Sequence, residues 1–234
     1  SGKRGSLLEL IKSAEPSIIA IQESGKLDKY NHFTGFQKPI ICDQWEKNRN
    51  VMTVFKEGVN YSLIENKSRP FAAWQTFKVH KSANNDTAFF FTNIYIAGNT
   101  NSNDFKEIEA LFETYQFERY LITGDMNAKN RFWDCQCLAP NGNGTKLFNL
   151  IEQFDYITLN NGEHTRIAEV EGHANSAIDL TIVSSSFDID NLSWTTHNDA
   201  MGSDHKPQLI TIRNEDIVNH YEPPIRVTYK NRPG

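Results

Sequence analysis

The stretch Tyr120-Leu121-Ile122-Thr123-Gly124-Asp125-Met126-Asn127 runs from a largely apolar segment straight into Gly-Asp-x-Asn. The apolar part reads as a buried strand. Side chains two residues apart in a strand share a face, so Asp125 and Asn127 project side by side from its end. A carboxylate placed there can hold a water, free or on a metal ion, and a neighbouring carboxamide can donate to an anionic oxygen. That is equipment for attacking a phosphodiester. Gly-Asp and Asn clusters also form plain turns, and the stretch alone does not choose between the two. Ser203-Asp204-His205, just ahead of a second apolar strand at Gln208–Ile212, favours the chemical reading.

Working outward, Ser6-Leu7-Leu8-Glu9 is a capping-box pattern that opens a short helix ending before Pro16. Ser17 to Ile21 reads as a buried strand that delivers Gln22 and Glu23 to its end. The stretch 25–50 is polar and irregular. Four β-rich stretches follow, Val51–Phe55, Tyr61–Ile64, Phe71–Val79 and Thr87–Ile96, the last carrying Asn93 and Tyr95 on one face. Ser102 or Asp104 caps a helix in which Phe105, Ile108, Leu111, Phe112 and Tyr115 recur at helical spacing. Leu147, Leu150, Ile151 and Phe154 mark another helix after a long loop. Tyr156–Leu159, Ala177–Val183 and Gln208–Ile212 read as strands, with Leu192–Trp194 a weaker one. Strands often follow strands with no helix between, so the expected class is α/β, a two-sheet β-sandwich flanked by helices, rather than a doubly wound parallel sheet.

The 234 residues suffice for one domain with a sizeable core, and 38% hydrophobic residues with 15 Phe argue against disorder. The domain is expected to span 1–213. From Asn214 the composition turns to Pro and basic residues, as in a linker leaving the domain. A net charge of −5 excludes binding nucleic acid by bulk electrostatics, but not a nuclease with a local basic rim and a bound cation. No apolar run approaches the roughly 20 residues that span a membrane, and no membrane partner is expected. Cys135 and Cys137 stand too close for an ordinary bridge and Cys42 is distant, so reduced thiols and an intracellular setting are expected. A zinc site would need more Cys or His at ligand spacing.

Several polar residues lie where an apolar strand ends: Glu23, Tyr95, Asp125, Asn127, Asp179, Asp204 and His205. Asp179 sits between Ile178 and Leu180, and a buried carboxylate must be paired, hydrogen-bonded or metal-bound. Singly, each has a structural reading, as an exposed strand end, a core tyrosine, an Asx turn or a surface histidine. Their order carries more. Gln22-Glu23, Asn93-Ile94-Tyr95, Gly124-Asp125-Met126-Asn127, Ser176-Ala177-Ile178-Asp179 and Ser203-Asp204-His205 resemble the successive motifs of the endonuclease/exonuclease/phosphatase superfamily. The likeness runs from about Ser6 to Ile212. It is closest to the endonucleases of LINE-type (non-LTR) retrotransposons, through Asn127-Ala128 with Phe132-Trp133, Leu159-Asn160-Asn161-Gly162 with His164-Thr165-Arg166, and Ile178-Asp179-Leu180-Thr181-Ile182.

The resemblance implies a DNase I-like four-layer α/β sandwich that nicks double-stranded DNA in the nucleus. The 3′-hydroxyl left behind primes a covalently linked reverse transcriptase, toward which 214–234 would lead. It implies Mg²⁺, with Mn²⁺ as a substitute, held by Glu23 and in part by Asp204. Asp125 would orient and deprotonate the attacking water, Asn127 and Tyr95 would bond the scissile phosphate, and Asp179 would hold His205, which stabilises developing negative charge. A hairpin from Thr165 to Ser176 would probe the DNA groove, making Thr165, Arg166, His173, Asn175 and Ser176 its contacts. The family also opens on a strand ending in an Asn that helps bind metal and phosphate; residues 1–234 start beside the first helix, without it. The competing expectations are a repair AP endonuclease and a non-catalytic DNA-binding module of the same fold.

Overall fold

The computed structural model describes residues 2–24, 33–42, 50–82, 84, 86–98, 100–168, 174–213 and 217–218, with side chains from Gly5 onward. The six-stranded sheet that carries most of the site is built from β4 (Tyr61–Arg69), β5 (Ala72–His80), β6 (Thr87–Ile96), β7 (Tyr120–Asp125), β8 (Tyr156–Thr158) and β9 (Asp179–Ser184), in the order β4-β5-β6-β7-β9-β8. Every pair is antiparallel except β6 and β7, whose parallel connection is made by a helix, as such a crossover requires.

The period-two alternation of these strands sorts side chains between two cores. Ile94, Ile96, Tyr120, Ile122, Leu180 and Ile182 face α2 (Ser102–Tyr115) and α3 (Gly142–Gln153), joining Phe105, Ile108, Phe112, Leu147 and Ile151 in one buried cluster. Phe77, Phe89, Phe91, Leu121 and Val183 face the opposite way, onto the second layer. That layer contains β1 (Ile18–Gln22), β2 (Ile40–Ile41) and β3 (Val51–Phe55) in the order β1-β3-β2, and the separate pair β10 (Leu192–Thr196) and β11 (Gln208–Ile212). Outside it, Leu7 and Ile11 of α1 (Gly2–Ala14) pack on Ile19, Met52 and Val54. The order of layers is helix, sheet, sheet, helix, the expected sandwich.

Several expectations shift by a few residues. α1 begins at Gly2, so Ser6 lies inside it rather than capping it. α2 is capped by Asn101, whose side chain accepts from the amides of Asn103 and Asp104, instead of by Ser102 or Asp104. β4 extends to Arg69 because pairing with β5 sustains it past a bulge at Leu63/Glu65. β9 starts at Asp179, not Ala177. Ile217 is buried and Val218 bridges Val59, so the chain still packs on the domain beyond 213. The rest of 214–234 lies outside the described residues.

Among the described residues, β1 pairs only with β3 and β11 only with β10. Between them lies a cavity of about 760 Å³, lined by Phe89, Phe91 and Leu121 of the large sheet and reaching Glu23, Asp179 and His205. No helix of the described residues is long and apolar enough to cross a membrane.

Candidate active site

Strand register assembles the centre. Tyr95 of β6 stands opposite Asp125 of β7, and Asp125 stands opposite Asp179 of β9. Cross-strand partners share a face, so the three form one row on the side that faces the second layer. All three are buried. The row lies at the end of β7, where Gly124 has φ +149° and a Cβ would fall 1.8 Å from the Ile94 carbonyl oxygen. Only glycine allows that approach. The chain then turns sharply. Asn127 takes φ +46°, its amide donates to Asp125 Oδ1 at 2.9 Å, and its Nδ2 donates to the Ile96 carbonyl at 3.0 Å. Asp125 thus closes an Asx turn on Asn127, and Asn127 is at the same time its expected neighbour, with Nδ2 3.4 Å from Asp125 Oδ2.

His205 completes the row from the second layer. Its Nδ1 lies 2.9 Å from both carboxylate oxygens of Asp179. Asp204 Oδ2 is 3.9 Å from His205 Nε2 and accepts from Arg166 Nε at 3.0 Å. Burial works against an imidazolium here, but the hydrogen bond to Asp179 and the charges of Asp179, Asp125 and Asp204 outweigh it and raise the His205 pKa to about 9. Asp125 is driven the other way from a normal carboxylate. Burial first, then repulsion from Asp179, raise its pKa to about 8, against the pull of His205 and the Asn127 amide. Burial also works upward on Asp204, but His205 and Arg166 hold its carboxyl below the usual range.

A cation would fit this arrangement. Asp125 and Asp179 each offer a carboxylate oxygen within 4.8 Å of the other and of a His205 ring nitrogen, and the carboxylates are the groups that could hold it while His205 is protonated. Two carboxylates that close repel by roughly 3 kcal/mol at an effective dielectric of 20, more than an ordinary hydrogen bond returns. Either one is protonated or positive charge sits beside both. Exposed Glu23, at φ +51° and anchored by its amide to the Asn50 carbonyl at 2.8 Å, lies near enough to add to the pressure on Asp125. Asp204 stands outside the three-residue cluster, tied to Arg166.

The hairpin residues divide. Thr165 is fully buried, and its Oγ1 accepts from the amides of both Ile178 and Asp179, at 3.2 and 3.0 Å. Ser176 is buried too, and its backbone pairs with Arg166. Neither side chain faces a surface where DNA could lie, which corrects the expectation for both: β9 has not yet begun at Ala177, and these residues supply the bonds that a ladder would. Arg166 and Asn175 do reach the surface. His173 lies outside the described residues. Arg166 also bridges His205, while Ile167 donates to the Asp204 carbonyl and Lys206 to that of Thr165. One strap, Thr165–Ile167, thereby holds both ends of the Asp179–His205 pair.

Other residues at this site had no role assigned from the sequence, although Gln22, Asn93 and Asn160 stand in the motifs quoted above. Asn160 Nδ2 donates to the Asp179 carbonyl and its Oδ1 accepts from the Thr181 amide, at 2.9 Å each. Buried Asp134 accepts from the Ala177 amide at 3.1 Å. Gln22 and Asn93 join across the sandwich at 2.6 Å, beside Glu23. No disulfide joins Cys42, Cys135 and Cys137.

These layers are the architecture of the endonuclease/exonuclease/phosphatase fold. The endonuclease domain of TRAS1, a telomere-specific non-LTR retrotransposon, superimposes with a TM-score of 0.73 over 91% of this chain and 93% of that one, at 16% identity. The AP endonuclease of Leishmania major gives 0.70 over 89% and 82%, at 12% identity. The family model described as endonuclease-reverse transcriptase matches residues 89–209, just over half of the chain, and the chain belongs to that family. Over 114 residues, 49% of its length, the chain is 30% identical to the probable RNA-directed DNA polymerase from transposon BS of Drosophila melanogaster, and spans only 12% of that protein.

Proposed function

We propose that this chain is a divalent-metal-dependent DNA endonuclease that nicks a double-stranded target and leaves a 3′-hydroxyl from which a linked reverse transcriptase extends. The observation that carries the reading is the row Tyr95–Asp125–Asp179 closed by His205, a base and an imidazolium poised within one cluster. Membership of the endonuclease-reverse transcriptase family supports it.

In this reading Asp125, ionised when a bound cation offsets the negative charge of its neighbours, takes a proton from water, whose oxygen attacks phosphorus. The bond from phosphorus to O3′ breaks, and O3′ leaves with a proton as the 3′-hydroxyl, while the phosphate stays on the 5′ side. His205, kept protonated by Asp179, stabilises charge on the phosphoryl oxygens. Asn127 and Tyr95 orient the phosphate. Glu23 with the row carboxylates would hold Mg²⁺, or Mn²⁺ in its place; the bound ion would neutralise the phosphate and lower the pKa of the attacking water. Asp204, engaged by Arg166, supports His205 rather than the metal. Arg166 and Asn175 contact DNA, with recognition resting on shape and deformability because the chain is acidic.

The test is to incubate the protein with supercoiled plasmid and Mg²⁺, and with intact and abasic duplex oligonucleotides, then analyse the ends. The reading expects nicked circles with 3′-hydroxyl and 5′-phosphate ends and little preference for the abasic site. Strong abasic preference would make it a repair-type AP endonuclease. DNA binding without cleavage at any metal concentration would make it a binding module.

A further inference from the structure

We infer that Asn141 and Asn143, at the start of α3, are positioning residues for the turn that carries Asp125 and Asn127. The inference rests on the nuclease reading above for its catalytic consequence, but the geometry stands by itself.

Asn141 caps α3 in the usual way, its Oδ1 accepting from the Gly144 amide at 2.8 Å. A cap needs no more than that oxygen. Here the same oxygen also accepts from the Lys129 amide at 2.9 Å, and Nδ2 donates to the Asn127 carbonyl at 2.8 Å. Lys129 returns a bond, its carbonyl accepting from the Asn141 amide at 3.1 Å. The cap therefore clasps the turn on both sides of Ala128. Asn127 sits in the left-handed region, which costs a non-glycine residue about 1 kcal/mol or more and persists only when its surroundings hold it.

Asn143 repeats the device one layer deeper. It is 1% exposed, and its Nδ2 donates to the Met126 carbonyl at 3.1 Å and to the Ala97 carbonyl at 2.9 Å. These carbonyls follow β7 and β6, where the strand ladder has run out. Its Oδ1 is buried with no partner among the described residues. An apolar side chain would avoid that cost in a helix's first turn, so helix stability does not account for an amide there. Its two donors join the strand end bearing Tyr95 to the turn bearing Asn127. Gly144 lets the two elements meet, since a Cβ there would fall 1.9 Å from the Lys129 carbonyl oxygen.

The consequence is separable from capping. Asn141→Asp keeps an oxygen cap and removes only the donor to Asn127; Asn141→Ser does so without adding charge. Both should keep an unchanged melting temperature to within about 3 °C. Both should lower kcat by about 30-fold with KM within about twofold, because a small misplacement of reacting groups costs that much. Amide hydrogen exchange at Asn127 should speed up by about tenfold or more while the α3 amides beyond the first turn keep their rates. Unchanged exchange at Asn127 in both variants overturns the inference. So does a loss of kcat that merely follows a fall in melting temperature. If the parent protein cuts no DNA, the nuclease reading fails, and the exchange at Asn127 still decides this one.

Discussion

The two halves of the active site are held by different means. The row of Tyr95, Asp125 and Asp179 is fixed by backbone register across β6, β7 and β9. His205 and the turn at Asn127 lie past the ends of the ladders: His205 is held by a backbone bridge from Arg166 and by the Asp179 carboxylate, and the turn by the side chains of Asn141 and Asn143. A ladder tolerates much sequence change because any residue but proline supplies its bonds. A side-chain clamp fails with a single substitution. The carboxylates should therefore stay in place under perturbations that dislodge the histidine and the turn.

The largest effect should come from striking the ladder itself. Gly124→Ala would drive a Cβ into the Ile94 carbonyl, and should cost more than about 4 kcal/mol or prevent folding, read by denaturant unfolding. A stable variant would mean that β6 and β7 do not approach as described. Next, His205→Ala should lower the nicking rate by about 10²–10³-fold with the circular dichroism spectrum unchanged. Wild-type nicking by this variant would remove the histidine from the mechanism.

Thr165→Val tests the strap at the Asp179 end of the row. It leaves the amides of Ile178 and Asp179 without their acceptor, and should cost about 2–4 kcal/mol, a fall of about 5–10 °C in melting temperature. A drop below about 2 °C would mean that water or the backbone replaces the hydroxyl, and that the strap is not what holds Asp179. A further effect is in pH. His205 stays protonated to about pH 9 in the folded protein, against an ordinary 6.5. Asp125 stays protonated to about 8, against 3.8. Folding thus takes up protons across these windows, and metal-free stability should fall as pH rises from about 6.5 to 9. His205→Ala should flatten the upper part of that curve, and Mg²⁺ should restore most stability at the alkaline end. A melting temperature that rises across this range would contradict both assignments.

The same division explains what could be read in the sequence. Strand-borne residues announce themselves, since an acid such as Asp179 stands out against Ile178 and Leu180, and Gly124-Asp125 ends a continuous apolar run. The two-sheet sandwich followed from strands that succeed one another without a helix between, and the four layers from the family resemblance. The clamps did not announce themselves. Asn160, Asp134 and Asn143 act on backbone groups 17 to 46 residues away, and their sequence neighbours give no sign of those partners. Thr165 and Ser176 were expected as groove contacts from the family resemblance; here the late start of β9 turns them inward. Asn141 had a visible signal, an Asn ahead of the apolar period of α3, but it points to a cap and not to the turn beyond.

The central claim is that Asp125, at the middle of the row, is the group whose ionisation drives hydrolysis. The direct measurement is Mg²⁺-dependent relaxation of supercoiled plasmid by the wild type and by Asp125→Asn, which keeps the shape and an acceptor for the Asn127 amide while removing the base. The account predicts nicked circles from the wild type and a rate at least ~10³-fold lower from the variant, at an unchanged fold. Relaxation by Asp125→Asn at the wild-type rate would contradict it.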